Sequence, residues 1–317
     1  MIDYGPLISI CIPVYKNVNF LERLFNSIVS QQFRDFEVII SDDGSDDSVK
    51  DLIKKKFTGV SIRYFQNAAP LGAPANWNNA ISKASGKWIK LMHDDDWFAD
   101  ERSLGLFAKA TELTTTDFIF SGFNNIVLKT GQTTTHIISS MEKRLLFQTP
   151  YNLLKRNFVG HPSTTLIRNK PEYRYDEMLK WLVDIEFYIR VISVNKTSFF
   201  SLDRPLINIG IGEEQITKIA FRNPAIEIPE NVYLLNRISV SAMKYIWVYD
   251  YYWRFIRNLR IKNLEILQQH GALVAPFLLK KMILQQRKMP GIFMIKIVSK
   301  LTMVVTYAWN RVKGRMD

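Results

Sequence analysis

Three short apolar runs in the first hundred residues each stop at residues suited to chemistry rather than to packing. Leu7 to Ile12 stops at Pro13-Val14-Tyr15, Phe36 to Ile40 at Ser41-Asp42-Asp43-Gly44-Ser45, and Lys87 to Met92 at His93-Asp94-Asp95-Asp96. Helix-period patterns separate them, the first with Phe20, Leu21, Leu24, Phe25 and Ile28 on one face. This alternation predicts an α/β fold, a Rossmann-like, mainly parallel sheet covered by helices. Ligands of such open sheets bind beyond the carboxyl ends of the strands, so the three terminations are expected on one edge. The pattern continues with a strand Val60 to Phe65, a Pro/Gly-containing loop Ala68 to Pro74 and a helix to Ala84. Further along come a strand Phe118 to Phe120, a Thr-rich hairpin-like stretch Val127 to Ile138, a helix around Tyr151 to Arg156, a strand Ser163 to Ile167 and a helix Asp184 to Val194.

Several functions are excluded early. One cysteine, Cys11, allows no internal disulfide and no multi-cysteine metal site, and points to a reducing compartment. There is no G-x-x-x-x-G-K-S/T loop and no G-x-G-x-x-G after the first strand, so neither a P-loop nucleotidase nor a classical dinucleotide binder is supported. The net charge of +12 is unevenly placed. The last 88 residues hold fifteen Lys or Arg against four acids, a net +11, while residues 1–229 carry 27 basic and 26 acidic side chains. A nucleic-acid partner is therefore not expected of the α/β part, and any such reading concerns the tail alone. Pattern and charge together place a domain cut near 229/230, before a helical, basic C-terminal region. No signal peptide is read at the N-terminus. Gly291 to Trp309 makes a poor membrane span, because Lys296 and Lys300 lie inside it.

Three aspartates in a row after a buried strand repel one another, and a turn needs at most one. A divalent cation resolves the repulsion; Mg²⁺ or Mn²⁺ takes one or two carboxylates and completes its shell from substrate phosphates and water. A diphosphate-bearing substrate follows. A solvated acidic loop capping the next helix is the plainer alternative. Asp184, at the start of an apolar helix, suits either an N-cap or a general base for displacement at a sugar carbon with inversion. His161, in Val159 to Thr164, is as well explained by a structural role as by one on the acceptor side.

Taken in order, Ile10 to Asn17, Gln31 to Ser45, Leu71-Gly72, Asn76-Trp77-Asn78, Ala84 to Ile89 and His93 to Trp97 resemble the family 2 glycosyltransferases of the GT-A fold, over about residues 5–215. The resemblance implies a nucleotide-sugar-binding part at about 5–125 and an acceptor and catalytic-base part at about 126–229. It implies that Pro13, Val14, Tyr15, Asp42 and Asp43 meet the nucleotide base and ribose, with Asn78 and Asp94 also on the donor. Asp95 and Asp96 would hold Mn²⁺ or Mg²⁺, and Asp184 would be the base, with Glu186 assisting. His93 stands where many members have the first aspartate, Val183 where they have a Glu, and Trp77 where related members have an arginine. Gly210 to Thr217 is read as a loop closing over the donor.

The tail adds a partner. From Tyr245 to Arg260 aromatics alternate with arginines, which suits either a core helix or an interfacial one. Near the end Lys296, Ser299, Lys300, Thr306 and Asn310 share a stripe, with Ile292, Phe293, Val298, Leu301, Val305 and Trp309 on the remainder. The expectation is a cytoplasmic, inverting, UDP-sugar-dependent enzyme. Residues 230–317 would attach it to an anionic membrane, where it builds a lipid-linked glycan for a capsule or lipopolysaccharide O-chain. Self-association through the tail stays open. The alternatives are a sugar-nucleotide nucleotidyltransferase and a non-enzymatic basic protein binding lipid or nucleic acid.

Overall fold

The computed structural model describes residues 5–16, 18–56, 59–195, 198–212, 222–289 and 296–314. Its strands are β1 Ile8–Val14, β2 Phe36–Asp42, β3 Ile62–Gln66, β4 Trp88–Leu91, β5 Asp96–Phe98, β6 Phe118–Val127, β7 Thr133–His136, β8 Thr165–Arg168 and β9 Phe200–Ile211. The α-helices are α1 Val18–Val29, α2 Ser48–Lys56, α3 Ala75–Ser82, α4 Ser103–Leu113, α5 Ser140–Gln148 and α6 Val183–Val194. They continue with α7 Pro224–Ile238, α8 Ile246–Asn258, α9 Leu264–Gln269, α10 Phe277–Arg287 and α11 Lys296–Val312. Residues divide into two compact units: Met1–Phe147, Phe158–Glu177 and Val191–Glu213 in the first, and Gln148–Asn157, Met178–Arg190 and Glu214–Asp317 in the second. Whereas pattern and charge put a cut at 229/230, the units interleave, and Asp184 belongs with the C-terminal helices.

The first unit is built on one mixed sheet in the order β3-β2-β1-β4-β8-β6-β9-β5, with β7 hydrogen-bonded to β6. β1 lies between β2 and β4 and is parallel to both, which explains why all seven of its residues are buried and its sequence is apolar apart from Ser9, whose hydroxyl donates to Glu37 (2.7 Å). Against it pack Leu21, Leu24, Phe25 and Ile28 of α1, the i, i+3, i+4, i+7 stripe read from the sequence. Each fully buried side chain of this kind contributes roughly 1.5–3 kcal/mol. The parallel strands deliver the ends of β1, β2 and β4 to one edge, as expected. β8 pairs antiparallel with β4 and β6, and β5 antiparallel with β9.

β5 and β9 were not foreseen in the sequence. Asp203, Arg204 and Pro205 interrupt the β9 pattern, and proline lacks the N–H a ladder needs. The strand tolerates it at an irregularity: β9 pairs in parallel with β6, but the register shifts around Gly122, which faces Pro205. The segment predicted as a helix around Tyr151 is a 3₁₀ turn, Pro150–Leu154, capped by Thr149.

The second unit is helical. The aromatic and arginine-rich segment is its core: Val248, Tyr249, Tyr252, Trp253, Phe255 and Ile256 of α8 are all buried, which decides between the two readings offered by the sequence. In the final helix the expected polar stripe is split, with Lys296 and Lys300 exposed and Ser299 and Asn310 buried. α11 turns Ser299, Met303, Tyr307 and Asn310 inward, where Trp253 Nε1 donates to Ser299 Oγ (3.0 Å) and Asn310 Nδ2 to Tyr249 OH (3.0 Å). Ile297, Leu301, Val304, Val305, Trp309 and Val312 are exposed instead. Ile292 and Phe293 of the expected wheel lie outside the described residues. Among the described residues, no helix is long and apolar enough to cross a membrane.

Candidate active site

The first unit carries a rim formed by the ends of β1 and β2. Asp43 donates its N–H to Val14 O (2.9 Å), and its carboxylate accepts from Asn67 Nδ2 (2.7 Å), Leu71 N (3.0 Å) and Gly72 N (2.9 Å). Asp42 accepts from Gly44 N and Tyr64 OH, both at 2.7 Å. Both carboxylates are buried, Asp42 completely, so their hydrogen bonds brace the strand ends. Asn76 Nδ2 ties Val14 O to Ser41 O (3.3 and 3.1 Å), making Pro13, Val14, Asp42 and Asp43 one rigid edge. Tyr15, 52% exposed, stands out from it. Asn78 is a different case. Both of its N–H groups are used, on Tyr175 O (2.8 Å) and Glu177 Oε1 (2.9 Å), while Oδ1 accepts from Tyr175 N. Expected on the donor, Asn78 has no hydrogen left to offer a phosphate and instead pins the 175–177 segment.

Beyond β4 the chain turns into His93 to Asp96, and β5 starts at Asp96. The carboxylate of Asp94 accepts from the backbone N–H of Tyr15, which joins the end of β1 to this turn. Asp96 accepts from the Ser163 hydroxyl and the Gly210 N–H. Gly210 is needed for that approach, since a Cβ there would lie 2.5 Å from Asp95 O. Of the expected loop Gly210 to Thr217, residues 213–217 lie outside the described residues. One ring nitrogen of His93 and one oxygen each of Asp95 and Asp96 fall within 4.8 Å of one another. His93 Nε2 and Asp96 Oδ2 are buried without a hydrogen-bond partner among the described residues.

The electrostatics agree with a missing positive charge. Burial, then repulsion from Asp95, pushes Asp94 up to about 7. Asp95 is raised by burial, and Asp96 well above the carboxylate range by burial and then Asp95. Burial, with His161 and Lys90 adding to it, drops His93 to about 3, so its ring is neutral at pH 7. Lys90 is itself fully buried, donating to Ser163 O and Thr165 O (3.3 Å) over the Phe107 ring (4.5 Å). Two orphaned donor atoms beside crowded carboxyls are a donor set that a divalent cation fits. His93 and Ser163 were missed in the sequence as part of this cluster; a histidine in the aspartate's place was the available signal. His161 meets Phe123 edge-on, with Phe123 stacked on His136, which favours its structural role.

In the second unit, Asp184 sits in the first turn of α6, partly exposed. Its oxygens accept from Ile185 N (2.8 Å) and Asn157 Nδ2 (3.0 Å). Asp184 thus satisfies one first-turn donor of its own helix, and the approach to that helix is held by another residue. Glu230 of α7 accepts from the N–H groups of Lys180, Trp181 and Leu182 at 2.9–3.2 Å, satisfying donors at the helix entry. Nothing in the sequence links Glu230 to a helix 46 residues earlier. Burial raises Asp184 to about 6, against the hydrogen bonds from Ile185 and Asn157. Glu186, expected to assist, is held bidentately by Arg190 (2.8 and 3.1 Å), with Arg237 at 3.7 Å.

A sheet of this topology with carboxylates gathered at its strand ends is the GT-A glycosyltransferase fold, followed here by a helical C-terminal region. The chain belongs to glycosyl transferase family 2, whose model matches residues 9–175. Among its relatives is the GalNAc(5)-diNAcBac-PP-undecaprenol beta-1,3-glucosyltransferase of Campylobacter jejuni, 33% identical over 34% of this chain and 35% of that protein. Another is the Escherichia coli K12 protein named for a glycosyl transferase role in colanic acid biosynthesis, WcaA, 28% identical over 67% of this chain and 76% of its own length. The chain thus spans about a third of the first relative's length. Among solved structures, S. aureus TarS 1-349 in complex with UDP-GlcNAc superposes with a TM-score of 0.57 at 16% identity, covering 89% of this chain and 91% of that one. The mannosyltransferase PcManGT of Pyrobaculum calidifontis, in complex with GDP-Man and Mn²⁺, gives 0.54 at 11% identity over 98% and 88%.

Proposed function

We propose that this enzyme transfers a sugar, with inversion, from a UDP-sugar to a hydroxyl of a lipid-linked glycan during surface-polysaccharide synthesis. The observation that carries the reading is the cluster of His93, Asp95 and Asp96, with buried atoms left unpartnered. Asp95 and Asp96 hold the divalent cation, Asp94 stands beside them on the ribose and diphosphate side, and the Pro13 to Tyr15 edge with Asp42 and Asp43 receives the nucleoside. A bound Mn²⁺ or Mg²⁺ offsets the charge that grows on the departing diphosphate. Asp184 takes the proton of the acceptor hydroxyl as its oxygen bonds to the anomeric carbon and the bond to the diphosphate oxygen breaks. Its raised pKa keeps it a usable base near neutral pH. The undecaprenol-linked acceptor in the name of the Campylobacter relative supports a lipid-linked acceptor here. The nucleotide needs its own test, since the two structural neighbours hold UDP-GlcNAc and GDP-Man. Thermal unfolding with UDP-, GDP-, dTDP- and CMP-sugars, each with Mn²⁺, Mg²⁺ or EDTA, supplies it. A ligand at 100 times its Kd stabilises by about 2.7 kcal/mol. Metal-dependent stabilisation by UDP-sugars is expected; none by any sugar nucleotide, in folded protein, overturns the reading.

We further place the enzyme on the anionic cytoplasmic face of the membrane through α11. Its apolar side faces out at Ile297, Leu301, Val305 and Trp309, while Lys296, Lys300, Arg311 and Lys313 are exposed along it. That pairing suits an interfacial helix on anionic lipid, where each basic residue contributes roughly 1 kcal/mol. The protein is expected to float with vesicles containing phosphatidylglycerol and to stay in solution with phosphatidylcholine alone. Replacing Leu301, Val305 and Trp309 by serine should abolish flotation. Flotation unchanged by the triple substitution would sink the assignment, and loss of a dimer in sedimentation instead would transfer this face to self-association.

A further inference from the structure

We infer that His93 is a nitrogen ligand of the donor-site cation, and that it tunes this site toward Mn²⁺ and away from Mg²⁺. The inference rests on the cation reading above and deepens it. The ring is not placed as an ordinary packed histidine. Among the described residues its Nε2 is buried with no hydrogen-bond partner, as is Oδ2 of Asp96, a residue only 2% exposed. An orphaned buried polar atom is costly, and here two of them occur in one three-residue cluster whose donor atoms lie within 4.8 Å. The ring is seated on Trp77, centroid to centroid 4.6 Å, and its backbone N–H is fixed by Ser163 Oγ at 3.0 Å. Trp77 and Tyr175 meet edge-on at 5.2 Å, so the platform under the imidazole is itself braced. Orientation is therefore built in before any ion arrives.

The chemical consequence follows from ligand type. Mg²⁺ is hard, keeps its waters and prefers oxygen, whereas imidazole suits first-row transition ions. One imidazole with two carboxylates retains affinity for Mn²⁺ and disfavours Mg²⁺ relative to an all-carboxylate site.

The test uses the full-length, tag-free protein with substoichiometric Mn²⁺, alone and with UDP, read by pulsed electron paramagnetic resonance. Wild-type protein is expected to show the modulation of a directly bound imidazole nitrogen. His93→Asp and, as a second variant, His93→Gln should lose it. In His93→Asp the preference for Mn²⁺ over Mg²⁺, from competition titration, should fall by about tenfold. Mn²⁺ that binds without nitrogen modulation, yet is lost in Asp95→Asn, overturns the role of His93 and leaves the cation site standing. Mn²⁺ binding that survives Asp95→Asn, or no Mn²⁺ binding at all, overturns the underlying reading as well.

Discussion

Asp184→Asn is expected to lower kcat by about 10²- to 10⁴-fold while leaving the affinity for donor and metal unchanged. The amide keeps the shape and can still accept from Ile185 N in the first turn, and the approach to α6 stays held by Glu230 on the N–H groups of Lys180, Trp181 and Leu182, so α6 should survive. Only the proton acceptor is removed. Donor binding by calorimetry, alongside single-turnover rates, separates the two effects, and an equal loss of both would contradict the assignment. The pH profile gives a second handle. A base must be ionised, and burial raises Asp184 to about 6, so at saturating metal kcat/KM should climb as pH rises through about 6 and level off above it. Asn157 Nδ2 donates to the ionised form, which lowers the pKa. Asn157→Ala should therefore move that limb to higher pH. A limb that stays where it was would show that another group sets it.

Asp95→Asn is expected to abolish metal-dependent donor binding and to reduce kcat/KM by about 10²-fold or more, the scale seen when one preorganised electrostatic partner of a transition state is removed. Asp95 is the most connected member of the cluster electrostatically: it raises both Asp94 and Asp96. With its charge gone, the crowding that favours a cation falls, and the pKa of Asp94 should drop toward the ordinary carboxylate range. Stability in the absence of metal should then be unchanged or higher, because a repulsion has been relieved. A variant that lost metal binding only by unfolding would show the opposite sign, which chemical denaturation without metal distinguishes.

The site residues differ in how visible they were in the sequence. The ends of β1, β2 and β4 were legible because a continuous apolar run interrupted by Pro13, Asp42-Asp43 or Asp94 to Asp96 marks both a buried strand and its termination. Asp184 was legible as a carboxylate at a helix start, but the hold of Glu230 on the residues leading into that helix was not, because Glu230 lies on α7. Asn78 looked like a ligand contact from its place beside Trp77, and only the fold reveals that Tyr175 and Glu177 consume its donors. β9 was hidden by Pro205, whose cost is removed by an irregular pairing that no local pattern encodes.

By itself, the sequence determined the parallel α/β half, the edge on which its polar strand ends gather, the excess charge of the tail and the amphipathic character of its last helix. These rest on periodicity and on near-neighbour chemistry, which are local properties of a chain. Tertiary structure alone decided that Glu230 holds the approach to α6, that His93 joins Asp95 and Asp96, and that α8 is core. It also decided that α11 turns Ser299 and Asn310 inward and leaves its lysines and its apolar side exposed. Each of these depends on which distant groups meet once hydrogen bonds have been satisfied, since a buried donor or acceptor takes whatever partner the fold brings within about 3 Å.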